Sequence, residues 1–95
     1  VSPRRPRQRY IAFRIDGGRP FTRDEVLEAL HGLPEPLWLV EFEHPLGLVR
    51  CTNLDKPRAI ERLRGLDAIA GEPVRVVTLG TSGTIRRARA KYLAR

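Results

Sequence analysis

Thr81, Ser82, Gly83 and Thr84 separate an alternating β-branched run (Val74, Val76, Val77, Thr78) from a helix whose first turn already holds Arg86 and Arg87, with Arg89 and Lys91 following. This order of residue types outlines an anion receptor, because exposed N–H groups and the positive pole of a helix start both favour phosphate. Arginines at that pole destabilise a free helix by roughly 0.3 to 1 kcal/mol each, and a bound phosphate removes the conflict. Thr84 is placed to cap the helix by accepting from the N–H groups behind it. The spacing GxxxxGK[ST] is absent, so the turn is not a P-loop.

Arg4, Arg5, Arg7 and Arg9 form a second group of cations. Residues 1–8 have two prolines and no apolar period, and read as a flexible basic arm that orders on binding nucleic acid. Tyr10 and Phe13 stand where RNA-recognition sheets place stacking aromatics, yet the third strand, LVRCT, carries none. Phe13 is therefore read as core, while both roles stay open for Tyr10. Glu41 and Glu43 share one strand face without a third ligand beside them, which makes them a polar strand end rather than a metal or acid–base pair. Cys51 sits between apolar neighbours as a core residue, and His31 and His44 lie at element ends with no visible partner. No catalytic residue, metal site or protein-bound cofactor emerges.

The net charge of +7 is segregated: residues 1–14 and 84–95 hold five basic residues each and no acid, whereas all eleven acids fall between residues 15 and 83. A neutral-to-acidic body with two basic ends points to a polyanion partner, and 16 arginines against 2 lysines suit bidentate phosphate contacts and stacking on bases. Ninety-five residues suffice for one small domain, here assigned to residues 9–95, with no room for a large enclosed active site. A single cysteine and the absence of CxxC or HxH spacing argue against disulfides and structural zinc and fit a cytoplasmic location. The longest apolar run, Leu37 to Val40, is far short of the ~20 residues of a membrane span, so no membrane association is expected.

Periodicity supplies the elements that hold these residues. Arg9 to Ile15 alternates as a first strand, ended by Gly17 and Gly18. Thr22 and Glu25 form a capping box, Phe21 staples onto Val26, and Val26, Leu27, Leu30 and Leu33 make a buried helical stripe stopped by Pro34 and Pro36. Strands over Leu37–Glu43 and Leu48–Thr52 flank a turn at His44–Gly47. Asp55 or Asn53 caps a second helix with Ile60, Leu63 and Leu66 inward, a fourth strand runs from Val74 to Leu79, and a third helix from Ile85 to Leu93. The order predicts an α+β, ferredoxin-like (RRM-like) βαββαβ sandwich. It has a four-stranded antiparallel sheet, two helices on one face and a basic C-terminal helix. Strict alternation leaves large apolar groups on the second sheet face, more than the third helix can hide, which predicts an exposed apolar patch and a protein partner.

The segments RYIAFRI, LVRC and above all VRVVTLGTSGTIRRARAKYL resemble the small RRM-like protein subunit of archaeal ribonuclease P, whose eukaryotic counterpart also serves ribonuclease MRP. The likeness runs in order from Arg9 to Leu93. It implies a non-catalytic subunit of the ribonucleoprotein that removes 5′ leaders from precursor tRNA, in which the RNA and its Mg²⁺ ions perform the chemistry. The implied partners are the ribonuclease P RNA, precursor tRNA in the complex and a TIM-barrel-like protein subunit. By the same likeness Thr81, Ser82, Gly83, Thr84, Arg86, Arg87, Arg89 and Lys91 match the family's strand-to-helix signature, which is read as an RNA contact. The alternative is an interaction scaffold with little direct RNA contact. Family members usually have a longer link between the first helix and second strand than His31 to Pro36, so self-association through that region is not carried over.

Overall fold

Alternation of Ile11, Phe13 and Ile15 against Tyr10, Ala12 and Arg14 builds the central strand of the computed structural model, which describes residues 7–93. The elements are β1 (Gln8–Gly17), α1 (Arg23–His31), β2 (Trp38–Glu43), β3 (Leu46–Thr52), α2 (Lys56–Gly65), β4 (Ala68–Ile69), β5 (Glu72–Ser82), and α3 (Ile85–Ala88), which continues as a π-helical segment over Arg89–Leu93. The antiparallel sheet has the order β2-β3-β1-β5-β4. The α+β class holds, but the expected four strands are five. The additional strand β4 pairs with β5 through the two-residue turn Ala70–Gly71, in which both residues have positive φ (52° and 78°). Such a turn matches strand twist and is normally announced by Asn-Gly or Asp-Gly; an alanine in the first position hides it in the sequence. Ile69 anchors β4 in the core.

The main core lies between one sheet face and α1 with α2. It joins Ile11, Phe13 and Ile15 to Val26 and Leu30 of α1, Ala59 and Leu63 of α2, and Leu39, Phe42 and Val49 of the neighbouring strands. Full burial of each large aliphatic or aromatic side chain contributes roughly 1.5–3 kcal/mol. Phe13 is 1% exposed, as expected of a core residue, and stacks on Phe42 at 6.3 Å between ring centroids. Room for its ring comes from Gly47, directly opposite on β3, where a Cβ would stand 2.3 Å from the ring.

A bulge in β2 overturns the expectation of a large uncovered apolar face. Between Leu39 and Glu41 the register with β3 shifts, so that Leu39 and Phe42, three residues apart, both enter the main core. The second sheet face therefore carries less apolar surface than strict alternation assigns to it. There α3 buries Ala88 against Ala12 and Leu48, with Tyr10, Val40, Leu79, Ile85, Tyr92 and Leu93 packed around them. Trp38 and Leu54 are the large hydrophobics left exposed among the described residues.

The capping box forms as expected. Thr22 Oγ1 accepts from the Glu25 N–H (3.2 Å), and Glu25 Oε1 accepts from the Thr22 N–H (3.0 Å). Arg19 donates to both oxygens of the Glu25 carboxylate, at 3.1 and 2.7 Å. At α2, by contrast, Asp55 occupies the cap position without a side-chain cap bond, and its carboxylate instead accepts from Thr52 Oγ1 at 3.1 Å.

Gly47→Ala forces a methyl group into the sealed core and is expected to destabilise the protein by about 1–3 kcal/mol in urea unfolding. It should cost more than Gly80→Ala, whose intruding methyl meets the tip of the partly exposed Tyr92. The Arg19 hydrogen bonds, followed by the Thr22 N–H, hold the Glu25 carboxyl down from the ordinary 4.5 to about 2. A depressed carboxyl contributes stability that is complete above the unfolded value and lost as pH falls towards the folded one. Wild-type stability should therefore drop between about pH 4.5 and 2 by more than that of Glu25→Gln, measured by urea midpoints across that range.

Candidate nucleic-acid interface

Antiparallel pairing sets the site's location. β1 starts where β5 ends, with Tyr10 opposite Ser82 and Ile11 opposite Thr81. Thr81 and Ser82, expected in the turn, thus belong to the strand, and Gly80 does not end it. The register shift between Ala12 and Phe13 absorbs one extra residue of β5 and lets pairing continue past Gly80. Gly80 has a different role: the Tyr92 ring lies on it, so close that a Cβ would stand 2.1 Å from the phenol oxygen.

The turn itself is Gly83 and Thr84. Ser82 Oγ accepts from the Thr84 N–H at 3.4 Å, and Thr84, in extended backbone, caps α3 by accepting from the Arg87 N–H at 3.2 Å. The cap stands as expected, but the helix behind it does not. Ile85–Ala88 is a single α-turn and Arg89–Leu93 is wound as a π-helix, in place of one continuous α-helix. So short an aligned stretch sums few peptide dipoles, and the attraction for anions therefore rests on the side chains.

Those side chains divide sharply. Arg86 and Arg87 are exposed and, among the described residues, form no ion pair. Arg89, also exposed, donates from Nε to Glu41 Oε1 at 2.5 Å. Lys91 lies 5.4 Å from the centroid of the Tyr92 ring. From the other end of the chain Arg9 reaches the turn: a Cβ at Gly83 would be 3.7 Å from Arg9 Nη1, which donates to the Gln8 carbonyl at 2.9 Å. Arg7 is tied to Asn53, donating its N–H to Oδ1 (3.0 Å) and accepting from the Asn53 N–H (2.8 Å). Arg4 and Arg5 lie outside the described residues.

Three of the groups weighed as catalytic have structural roles. Glu41 pairs with Arg89, and His44 Nδ1 accepts from the Phe21 N–H at 3.3 Å. Cys51 is partly buried at the margin of the core, and burial pushes its thiol up, away from a reactive thiolate. Among the described residues no cluster of three or more His, Cys, Asp or Glu side chains could hold a metal ion. One pair escaped sequence reasoning: the Arg50 guanidinium lies 5.1 Å from the Trp38 ring centroid. Only the β2–β3 register brings the two together.

Residues 26–93 match the sequence model of the Rpp14/Pop5 family. The chain belongs to the Rpp14/Pop5 family. Among similar curated proteins is the ribonuclease P protein component 2 of Thermococcus kodakarensis, 34% identical over 95% of this chain and 86% of its own length. That of Pyrococcus furiosus is 32% identical over the same shares, and that of Archaeoglobus fulgidus is 32% identical over 94% of this chain and 91% of its own. For this Rpp14/Pop5 member the matched span runs from Val26, within α1, through the π-helical segment, and so takes in the whole strand–turn–helix unit.

The cap is testable by itself. Thr84→Ala removes the acceptor for the Arg87 N–H and is expected to cost about 1 kcal/mol of stability by chemical denaturation, with Thr84→Ser close to wild type.

Proposed function

We infer that this chain is a protein subunit of ribonuclease P that binds the RNA of that enzyme through the strand-to-helix turn. The observation that carries the contact is the exposure of Arg86 and Arg87 without a carboxylate partner among the described residues, beside Arg9 and Gly83. Guanidinium groups held at one turn without a carboxylate lack a countercharge, and an RNA phosphate supplies it. Arg89 and Lys91 extend the same surface along the helix, Thr81, Ser82, Gly83 and Thr84 shape it, and Arg4, Arg5 and Arg7 add further cations for the RNA, with the Arg7 backbone tied to Asn53. Family membership supports the assignment, and the reading as a scaffold with little RNA contact is not favoured.

In this proposal the RNA is catalytic, with Mg²⁺ ions bound to it rather than to the protein. Precursor tRNA is the substrate of the assembly, and a TIM-barrel-like subunit is the protein partner. The four long strands with α1 and α2 serve as a ferredoxin-like, RRM-like core. Among the described residues no helix is long and apolar enough to cross a membrane. As a subunit of the tRNA-processing assembly, the chain acts in the cytoplasm.

Reconstituted cleavage of precursor tRNA should require this chain, and Arg86→Ala/Arg87→Ala should lower both RNA affinity and cleavage. If both arginines neutralise phosphates, the plot of log affinity against log salt becomes shallower by roughly 1.4 to 1.8. Arg89→Ala should change the slope less, because Glu41 already offsets that charge. An unaltered slope in the double variant would refute the contact.

A further inference from the structure

Trp38 on edge strand β2 is accounted for neither by the core nor by the basic turn. It is the chain's single tryptophan and 59% exposed, with Arg50 standing against its ring at 5.1 Å. The register sets Trp38, Arg50, Tyr10 and Ser82 in one row across β2, β3, β1 and β5. With strands about 4.8 Å apart, the row spans roughly 14 Å and ends at the basic turn. Two open depressions meet at Trp38 and Arg50. One, of about 540 Å³, includes Gln8, Thr52 and Arg62, and the other, of about 320 Å³, includes Tyr10, Arg23 and Ile85.

Charge and polarity favour one kind of occupant. The carboxylates in the larger depression are engaged, Glu35 with Arg62 and Asp55 with Thr52 Oγ1. Arg23 and Arg50 form no ion pair among the described residues. Among the described residues Leu54 is the one other large exposed hydrophobic, and it lines neither depression; Tyr10, Leu27, Leu39, Val40 and Ile85 in the smaller one are at least partly buried, which leaves too little exposed apolar area for the dry centre of a protein interface. A flat π face beside a guanidinium plane, next to unneutralised cations, matches the recognition of unpaired bases, which stack on aromatic rings and arginine while cations hold the backbone.

We propose that Trp38 and Arg50 form a stacking site for an unpaired nucleobase of the RNA strand whose phosphates are held at Arg86 and Arg87. This rests on the RNA-binding reading above and adds to it a base-dependent contact at the opposite end of the sheet row.

Trp38 is its own reporter. The full chain is titrated with an eight-residue oligoadenylate and with an abasic oligomer of the same length, following tryptophan emission and affinity. Oligoadenylate should quench Trp38 and bind roughly tenfold tighter than the abasic strand. Trp38→Leu should lose that preference while keeping its abasic affinity, and Trp38→Phe should retain part of it. Arg86→Ala/Arg87→Ala should weaken both ligands alike and leave the quench at saturation intact. Equal binding of the two oligomers with unchanged emission overturns the stacking site alone, whereas failure to bind either overturns the RNA reading with it. A blue shift of Trp38 on adding the partner protein subunit without RNA assigns the ring to a protein interface and likewise overturns the proposal.

Discussion

The antiparallel pairing of β1 with β5 is the constraint on which the rest of the molecule depends. It runs from Gly17 opposite Val74 to Tyr10 opposite Ser82, down the centre of the sheet. Because the strands run in opposite directions, the start of the chain's first strand meets the end of its last. Arg9 thereby arrives beside Gly83, in the turn that leads into the helix of Arg86 and Arg87. Neither basic segment has a local reason to approach the other. Mutual repulsion opposes it, and the ladder together with the core beneath it holds them in place.

Close approach of backbone to side chain fixes the third helix with little apolar material. Ala12 and Gly80, paired across β1 and β5, present a nearly flat patch on the second sheet face. Ala88 and the Tyr92 ring can then lie almost directly on the sheet. Small residues on both sides shorten the distance over which dispersion acts, so a narrow contact line suffices. The rest of the helix surface is left to arginine and lysine. Opposite, Gly47 performs the same service for Phe13 in the main core.

Ion pairing sorts the arginines by task. Arg14 with Asp16, Arg19 with Glu25, Arg62 with Glu35 and Arg89 with Glu41 are matched within the protein. Among the described residues Arg86 and Arg87 are not, although Arg89, one turn on, has found a carboxylate. That carboxylate comes from β2, where Glu41 sits at the bulge between the inward Leu39 and Phe42. The division leaves two cations at the start of the helix open to an outside anion and ties the third to the sheet. Membership of the Rpp14/Pop5 family gives it a setting in ribonuclease P.

Local chemistry settled much of this in the sequence itself. The period of two in β1, the capping box at Thr22 and Glu25, the Thr84 cap and the segregation of charge all depend on residues within a few positions of one another. The extent of β5 past Gly80, the β2 bulge, the β4 hairpin and the π-helical winding after Ala88 were not legible, because each is set by what the other side of a ladder or a packed face requires. Trp38 and Arg50 are twelve residues apart, and Arg9 lies far from Gly83; no spacing rule connects either pair. Register is a long-range quantity, and a shift of one residue would turn every one of these side chains to the opposite face. Residue order thus determined which groups were available and their sign of charge. Tertiary structure decided which of them stand together, because only strand pairing and burial can offset the electrostatic cost of bringing like charges side by side.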